Sequence, residues 1–201
     1  MSTQEDRKRK LAGERGRVVP CKLAHVVRRT PRFEEMVRWY CTVLGAEVVH
    51  SNGMLAFLTY DDEHHRLAIA GIPGLPDQPG MTAGTDHIAF TFADLGDLLY
   101  TFRRLKAEGI EPYWCVNHGP TISMYYHDPD GSGVELQVDT MPTADAIDAW
   151  MRSGAFDSNP IGVVFEPEEL IRRYESGEPL ETLTLRPPLP EGMSPFEMMR
   201  F

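Results

Sequence analysis

The stretch that decides the fold is LAHVVRRTPRFEEMVRWYCTVLGAEVV, residues 23–49. Its beginning is rich in apolar and β-branched residues, which predicts a strand over Lys22–Arg28. Thr30 followed by Pro31 is typical of a helix N-terminus, with Thr30 as the N-cap. Apolar residues then recur every three or four positions, and Gly45 stands where a helix C-cap belongs. The stretch therefore predicts a strand followed by an amphipathic helix.

The same order of elements occurs a second time along the chain. After a linker rich in proline and glycine at Ile72–Thr85, a strand begins at His87, Asp94 caps a second helix and Gly109 ends it. From His25 to Gly45 is 20 residues, and from His87 to Gly109 is 22. The other predicted strands are Ala46–Ser51, Met54–Tyr60, Leu67–Gly71, Glu111–Val116, Ile122–Tyr126 and Gly133–Val138. This pattern predicts an α+β fold of two tandem βαβββ modules, whose curved sheets enclose a cleft for a small ligand.

Three regions follow from these patterns. Residues 1–18 are predicted to be a flexible tail, and residues 19–140 to be one domain with modules at 20–72 and 84–140. Residues 141–201 form a C-terminal extension that is too short and too polar for a second core. Within the extension, Thr143–Gly154 and Glu166–Glu175 are predicted helices. We expect the extension to pack over the domain or onto a partner subunit.

Composition excludes several functional classes. A formal net charge of −10 argues against nucleic-acid binding, and no stretch is apolar enough for a membrane span or a secretory signal. The three cysteines, Cys21, Cys41 and Cys115, cannot form a complete disulfide set, which favours reduced thiols in a cytoplasm. We expect a cytoplasmic protein that forms a homo-oligomer, a dimer or larger.

Three side chains on separate strands could hold a metal ion: His25, His87 and Glu135. Two neutral imidazoles and one carboxylate on one face of an ion leave its other positions open, as in non-haem iron(II) enzymes that use dioxygen. The alternative is that they are three unrelated polar residues on exposed strand faces. The matching positions of His25 and His87 in the two modules favour the metal site.

Four stretches carry a family resemblance. They are the opening stretch quoted above, FLTYDDEHHRLAIAG at 57–71, TDHIAF at 85–90 and HGPTISMYYHDPDGSGVELQV at 118–138. Together they resemble the vicinal oxygen chelate superfamily and, within it, the small single-domain type I extradiol catechol dioxygenases. The resemblance covers about residues 22–139. DPDGSGVE alone is a signal of the superfamily only, whereas the histidine pair combined with the spaced His, Tyr and Glu is more specific.

The resemblance implies a role for each matching residue. His25, His87 and Glu135 would ligate iron(II), and manganese(II) is the alternative because nitrogen and oxygen ligands tolerate both. His65 would be the acid/base histidine. The substrates would be a small aromatic diol and dioxygen.

The remaining pocket residues follow from the closing stretch and the histidine pair. Tyr125 stands ten residues before Glu135, at the offset of the family's catalytic tyrosine, and Tyr126 is its competitor. His118 would line the substrate pocket. His64 would either lean into that pocket or face solvent.

Two other functions compete with ring cleavage. A glyoxalase-type lyase or isomerase would bring a fourth ligand from the first module, but the alignment places Ala68 there, and alanine cannot ligate. A metal-free module that binds a drug would have no need for the two histidines and the glutamate. The sequence does not decide which catechol is the substrate.

Overall fold

The computed structural model describes residues 16–77 and 82–200. Its first module contains β1 (Val26–Thr30), α1 (Phe33–Leu44), β2 (Glu47–Ser51), β3 (Leu55–Thr59) and β4 (Leu67–Gly71). The strand order in this sheet is β1-β4-β3-β2. β1 and β4 are parallel, and the other neighbouring strands are antiparallel.

The second module repeats this arrangement. It contains β5 (His87–Thr91), α2 (Leu95–Ala107), β6 (Trp114–Asn117), β7 (Thr121–His127) and β8 (Gly133–Asp139). Its sheet has the order β5-β8-β7-β6 with a fifth strand beyond β6, and β5 and β8 are again the parallel pair. The two sheets thus share one topology, which confirms the predicted α+β fold with tandem βαβββ modules.

The start of the first module differs from the prediction. β1 begins at Val26, so His25 lies immediately before the strand, and the strand continues to Thr30, which pairs with Gly71 of β4. Because α1 begins only at Phe33, three residues later, Thr30 is not in position to cap it. Its hydroxyl instead accepts a hydrogen bond from the Arg32 backbone N–H at 2.8 Å, and Arg32 precedes the helix without a side-chain cap. The prediction of a Thr30 N-cap was wrong.

The other helix boundary signals agree with the structure. Gly45 ends α1 in the left-handed conformation, with φ 64°, which costs glycine little because it has no Cβ. The Asp94 carboxylate accepts from the Asp97 backbone N–H at 2.9 Å and so caps α2. Gly109, with φ 75°, follows the end of α2 by two residues.

One hydrophobic core joins the two modules. α1 contributes Met36 and Tyr40, α2 contributes Leu98 and Phe102, and the buried faces of both sheets complete a single cluster. Burying a large apolar side chain of this kind stabilises a fold by roughly 1.5–3 kcal/mol. Arg104 of α2 also donates to backbone carbonyls in the last turn of α1, where a cation is favoured. The modules therefore pack as one unit.

The C-terminal extension packs over the second module. It consists of α3 (Ala144–Arg152), α4 (Ala155–Ser158), β9 (Val163–Val164), α5 (Pro167–Glu175), α6 (Leu180–Thr184) and a 3₁₀ turn (Pro195–Met198). β9 is the fifth strand of the second sheet and pairs antiparallel with β6. Leu170 and Leu183 enter the shared core.

Some sequence predictions concern residues outside the described ranges. Residues 1–15 of the predicted tail and residues 78–81 of the predicted linker are among them. Within the ranges that are described, none of the helices is both long enough and apolar enough to cross a bilayer.

Candidate active site

The second module brings two of the predicted metal ligands together. β5 and β8 pair in parallel with His87 opposite Gly133 and Ala89 opposite Glu135, so His87 and Glu135 lie on the same face of the sheet. Nε2 of His87 is 3.0 Å from Oε2 of Glu135. Glu135 is a buried carboxylate, only 5% exposed. A buried carboxylate requires a charged or hydrogen-bonding partner, and His87 supplies it.

Neighbouring groups shift the pKa values of His87 and Glu135 in opposite directions. The hydrogen bond with Glu135, together with that from Asp86, raises the pKa of His87 to about 9 against the opposing effect of burial. Burial raises the pKa of Glu135, but its hydrogen bonds with His87 and Ser123 outweigh burial and lower it below the usual value. At neutral pH the two groups therefore form an ion pair.

The geometry of this pair fits two ligands of one divalent ion. Two donors about 2.1 Å from an ion and at right angles to each other are about 3 Å apart, which is the separation of Nε2 and Oε2. Nδ1 of His87 is 2.7 Å from a carboxylate oxygen of Asp86. A carboxylate on the far nitrogen orients a ligating histidine and leaves Nε2 for the metal.

Tyr125 lies beside this pair, and Tyr126 does not. The Tyr125 and His87 rings meet edge to face at 5.2 Å, and the Tyr125 hydroxyl is 3.0 Å from Nε2 of His118. Burial, the charge of Glu135 and a hydrogen bond to its carboxylate raise the pKa of Tyr125, so its phenol stays protonated. Tyr126 points into the core, where its hydroxyl contacts the sulfur of Met124. Alternation along β7 thus separates the two tyrosines.

Aromatic side chains that the sequence did not predict lie next to Tyr125. Trp114 stacks on Tyr125 with ring centroids 4.7 Å apart, and the Tyr113 ring lies 6.2 Å from the Tyr125 ring. His127 stacks on Tyr113 at 4.0 Å. The sequence did contain a signal for these contacts. Trp114 begins β6, Tyr113 directly precedes it, and β6 pairs with β7, the strand of Tyr125.

The first module gathers a second group of side chains. The rings of His25 and His65 are 4.4 Å apart, and Phe57 lies 4.7 Å from His65. Nδ1 of His64 is 2.6 Å from Nδ1 of His65, but the His64 side chain is 68% exposed. Desolvation, together with the neighbouring His25 and His64, lowers the pKa of His65. A neutral imidazole is the form able to accept a proton.

The structure does not gather the whole predicted ligand set. His25 lies with His65, whereas His87 lies with Glu135. Across residues 16–77 and 82–200, no three His, Cys, Asp or Glu side chains are close enough to share an ion. The three-residue site therefore remains a prediction. Two of its three residues, His87 and Glu135, are adjacent in the structure.

The register shows what replaces Glu135 in the first module. Glu135 pairs with Ala89, two residues after His87, and Ala68 pairs with Val27, two residues after His25. Ala68 is therefore the counterpart of Glu135, as the sequence alignment had placed it. Its methyl group cannot ligate, so a fourth protein ligand does not come from this position.

The fold and the match to a family model define the class of protein. Residues 22–136 match the model of the Glyoxalase/Bleomycin resistance protein/Dioxygenase superfamily, and the chain belongs to that superfamily. The solved structure of a candidate glyoxalase from Bacillus halodurans shares the fold, with a TM-score of 0.51, 19% identity, and coverage of 59% of this chain and 96% of that one.

Curated relatives of higher sequence identity are named for one particular activity. The chain is 47% identical to Biphenyl-2,3-diol 1,2-dioxygenase 2 of Rhodococcus globerulus over 81% of this chain and 86% of that protein. It is 44% identical to Biphenyl-2,3-diol 1,2-dioxygenase 3 of the same organism over 82% and 88%. A more distant relative, 29% identical over 59% of this chain and 36% of its own length, is the Manganese-dependent 2,3-dihydroxybiphenyl 1,2-dioxygenase of Geobacillus genomosp. 3.

Proposed function

We propose that this protein is an extradiol dioxygenase that cleaves the ring of a catechol-type diol with dioxygen. The observation that carries the proposal is the buried His87–Glu135 pair, with its 3.0 Å spacing and the Tyr125–His118 hydrogen bond beside it. This arrangement offers two metal donors next to two groups able to bind a substrate oxygen.

The relatives support the substrate class. Two proteins that are 44–47% identical, and matched over most of both chains, are named for biphenyl-2,3-diol. The aromatic side chains around Tyr125 suit such a ligand, because flat rings pack favourably face to face and edge to face. We therefore propose a biphenyl-type or monocyclic catechol as the substrate.

The metal would be held by His25, His87 and Glu135. Iron(II) is the first choice for this donor set, and manganese(II) is the alternative. Manganese(II) should be tested because the Geobacillus relative is named as manganese-dependent. When bound, the ion would provide one centre at which the diol oxygens and dioxygen meet. His25 would supply the ligand from the first module, next to His65, whose ring lies 4.4 Å away.

The protein's own residues would bind the diol and move protons. Tyr125 and His118 would hydrogen-bond substrate oxygens and so fix the orientation of the ring. His65, whose pKa is lowered by desolvation and by its histidine neighbours, would take up and return a proton. His64 would line the entrance, since most of its side chain is exposed.

The alternative functions fit less well. A lyase with four protein ligands has no ligand at Ala68, which is the counterpart of Glu135. A metal-free drug-binding module would have no need for the buried Glu135 carboxylate 3.0 Å from Nε2 of His87. Nor would it need Asp86 to orient the same imidazole through Nδ1. A cytoplasmic location and self-association are part of the proposal, and gel filtration of the full chain tests the latter.

The proposal is tested by oxygen uptake with catechol and 2,3-dihydroxybiphenyl, using protein loaded anaerobically with iron(II) or manganese(II). We expect uptake together with a yellow ring-opened product. His65→Gln should lower turnover by roughly 100-fold and leave the metal content unchanged. His50→Gln is the matched control, because His50 is an exposed histidine on β2. Absence of uptake with either metal, or loss of metal from His65→Gln, would contradict the proposal.

A further inference from the structure

The C-terminal extension reaches the predicted substrate pocket at His118. Because β9 pairs with β6, the chain just before β9 runs alongside the end of β6 and the residue that follows it. Gly162 has φ 116°, and a Cβ there would lie 2.5 Å from the Asn117 carbonyl and 2.9 Å from Cα of His118. A side chain at this position would push the two segments apart, so their close approach depends on glycine.

The turn at 159–162 presents a carbonyl to the imidazole of His118. Asn159 is buried, and its side-chain oxygen accepts from the backbone N–H of Ile161 at 3.1 Å and of Gly162 at 2.8 Å. The Ile161 carbonyl then makes a hydrogen bond with Nδ1 of His118. A carbonyl accepts and never donates, so Nδ1 must carry the proton.

Arg186 ties the two segments together. One of its terminal nitrogens donates to the carbonyls of His118 at 3.1 Å and Asn159 at 2.8 Å, and the other donates to the Ala155 carbonyl at 3.0 Å. The guanidinium carbon lies 4.8 Å from the centre of the Trp150 ring. One side chain thus connects the pocket histidine with the turn that faces it.

We propose that Arg186 is a positioning residue, which holds the 159–162 turn against His118. The Ile161 carbonyl then accepts a hydrogen bond from Nδ1–H of His118, and Nε2 is left as an acceptor for the Tyr125 hydroxyl. The phenol has one hydrogen, and the Glu135 carboxylate also accepts a hydrogen bond from it, so an acceptor at Nε2 of His118 draws that hydrogen away from Glu135. Burial lowers the pKa of His118, which favours the neutral ring that this arrangement requires. The effect on turnover rests on the proposed function, whereas the tautomer does not.

The tautomer is read directly by ¹⁵N NMR of the full-length chain labelled at histidine, with His118→Gln used to assign the His118 signals. In the wild type we expect a protonated Nδ1 and an unprotonated Nε2. Arg186→Met should reduce the population of this tautomer and lower kcat/KM by roughly 10- to 100-fold, and Arg186→Lys should restore part of both. Asn159→Ala, which weakens the same turn without changing Arg186, should have the same effect on the tautomer.

The control is Arg173→Met, which removes an ion pair with Glu178 in the same extension. It should leave the tautomer and kcat/KM unchanged. A wild-type His118 protonated at Nε2, or a fall in kcat/KM in Arg186→Met with an unchanged tautomer, would overturn the inference. If the tautomer is as expected but no diol and metal give oxygen uptake, the proposed function fails and the positioning role stands.

Discussion

The contact between Arg28 and Asp128 links the first module, which would supply one metal ligand, to the second, which would supply two. Arg28 lies in β1, three residues after His25, and Asp128 lies in the turn that leads to β8 and Glu135. A terminal nitrogen of Arg28 is 2.8 Å from Asp128, whose side chain is fully buried. We expect Arg28→Met to destabilise the fold and to disturb the relative placement of the two modules.

The expected loss of unfolding free energy depends on the hydrogen bonds that Asp128 would retain. Removing one partner of a buried ion pair costs about 3–5 kcal/mol. Asp128 would still accept from the Tyr40 hydroxyl at 3.1 Å and from the backbone N–H groups of Asp130 and Ser132 at 3.0 and 2.9 Å. We therefore expect a loss near the lower limit, about 3 kcal/mol. For a chain of this size that corresponds to a Tm lower by roughly 6–12 °C.

Urea denaturation followed by circular dichroism measures this loss. Arg32→Met is the matched control, because Arg32 also bridges to the second module, through Asp130, but is 36% exposed. Its pair with Asp130 is only part-buried and should contribute less unfolding free energy than the Arg28–Asp128 pair. If Arg28→Met costs no more unfolding free energy than Arg32→Met, the argument that this buried contact holds the modules together is refuted.

Two further predictions concern titratable groups that are not themselves proposed metal ligands. Burial raises the pKa of the Cys115 thiol to about 12. At pH 8 a thiol reagent should therefore modify the exposed Cys21 quickly and Cys115 only on unfolding. Fast labelling of Cys115 in a Cys21→Ser chain would contradict this. Burial lowers the pKa of His118 below 6.5, so the unfolded chain binds its proton first and stability falls as pH drops below that value. His118→Gln should lose less unfolding free energy than the wild type between pH 7 and pH 5, and equal losses would count against the assignment.

Local signals in the sequence predicted much of the fold. Gly45 and Asp94 were placed correctly because a left-handed C-cap and a side-chain N-cap depend on residues next to them. The role of Thr30 was predicted wrongly because pairing with Gly71, which is distant in sequence, prolongs β1 to Thr30, and α1 begins only at Phe33. β9 was missed for the same reason: two valines become a strand only because β6 offers them a free edge.

The site was predictable to the extent that strand alternation governs it. The two-residue period that puts Tyr125 beside His87 and Tyr126 in the core could be anticipated, although not which tyrosine took which side. The contacts of His118 with Ile161 and Arg186 could not be anticipated, because they join segments that are 43 and 68 residues apart. Sequence spacing carries no information on how such segments pack.

The central claim is that His25, His87 and Glu135 bind one catalytic divalent ion. Metal analysis of anaerobically purified protein, after loading with iron(II) or manganese(II), tests it most directly. The wild type and Glu47→Gln, a control at an exposed glutamate of β2, should hold about one ion per chain, and His25→Ala and Glu135→Gln should each bind it at least about 100-fold more weakly. Full loading of Glu135→Gln, or oxygen uptake with a diol by metal-free wild type, would contradict the claim.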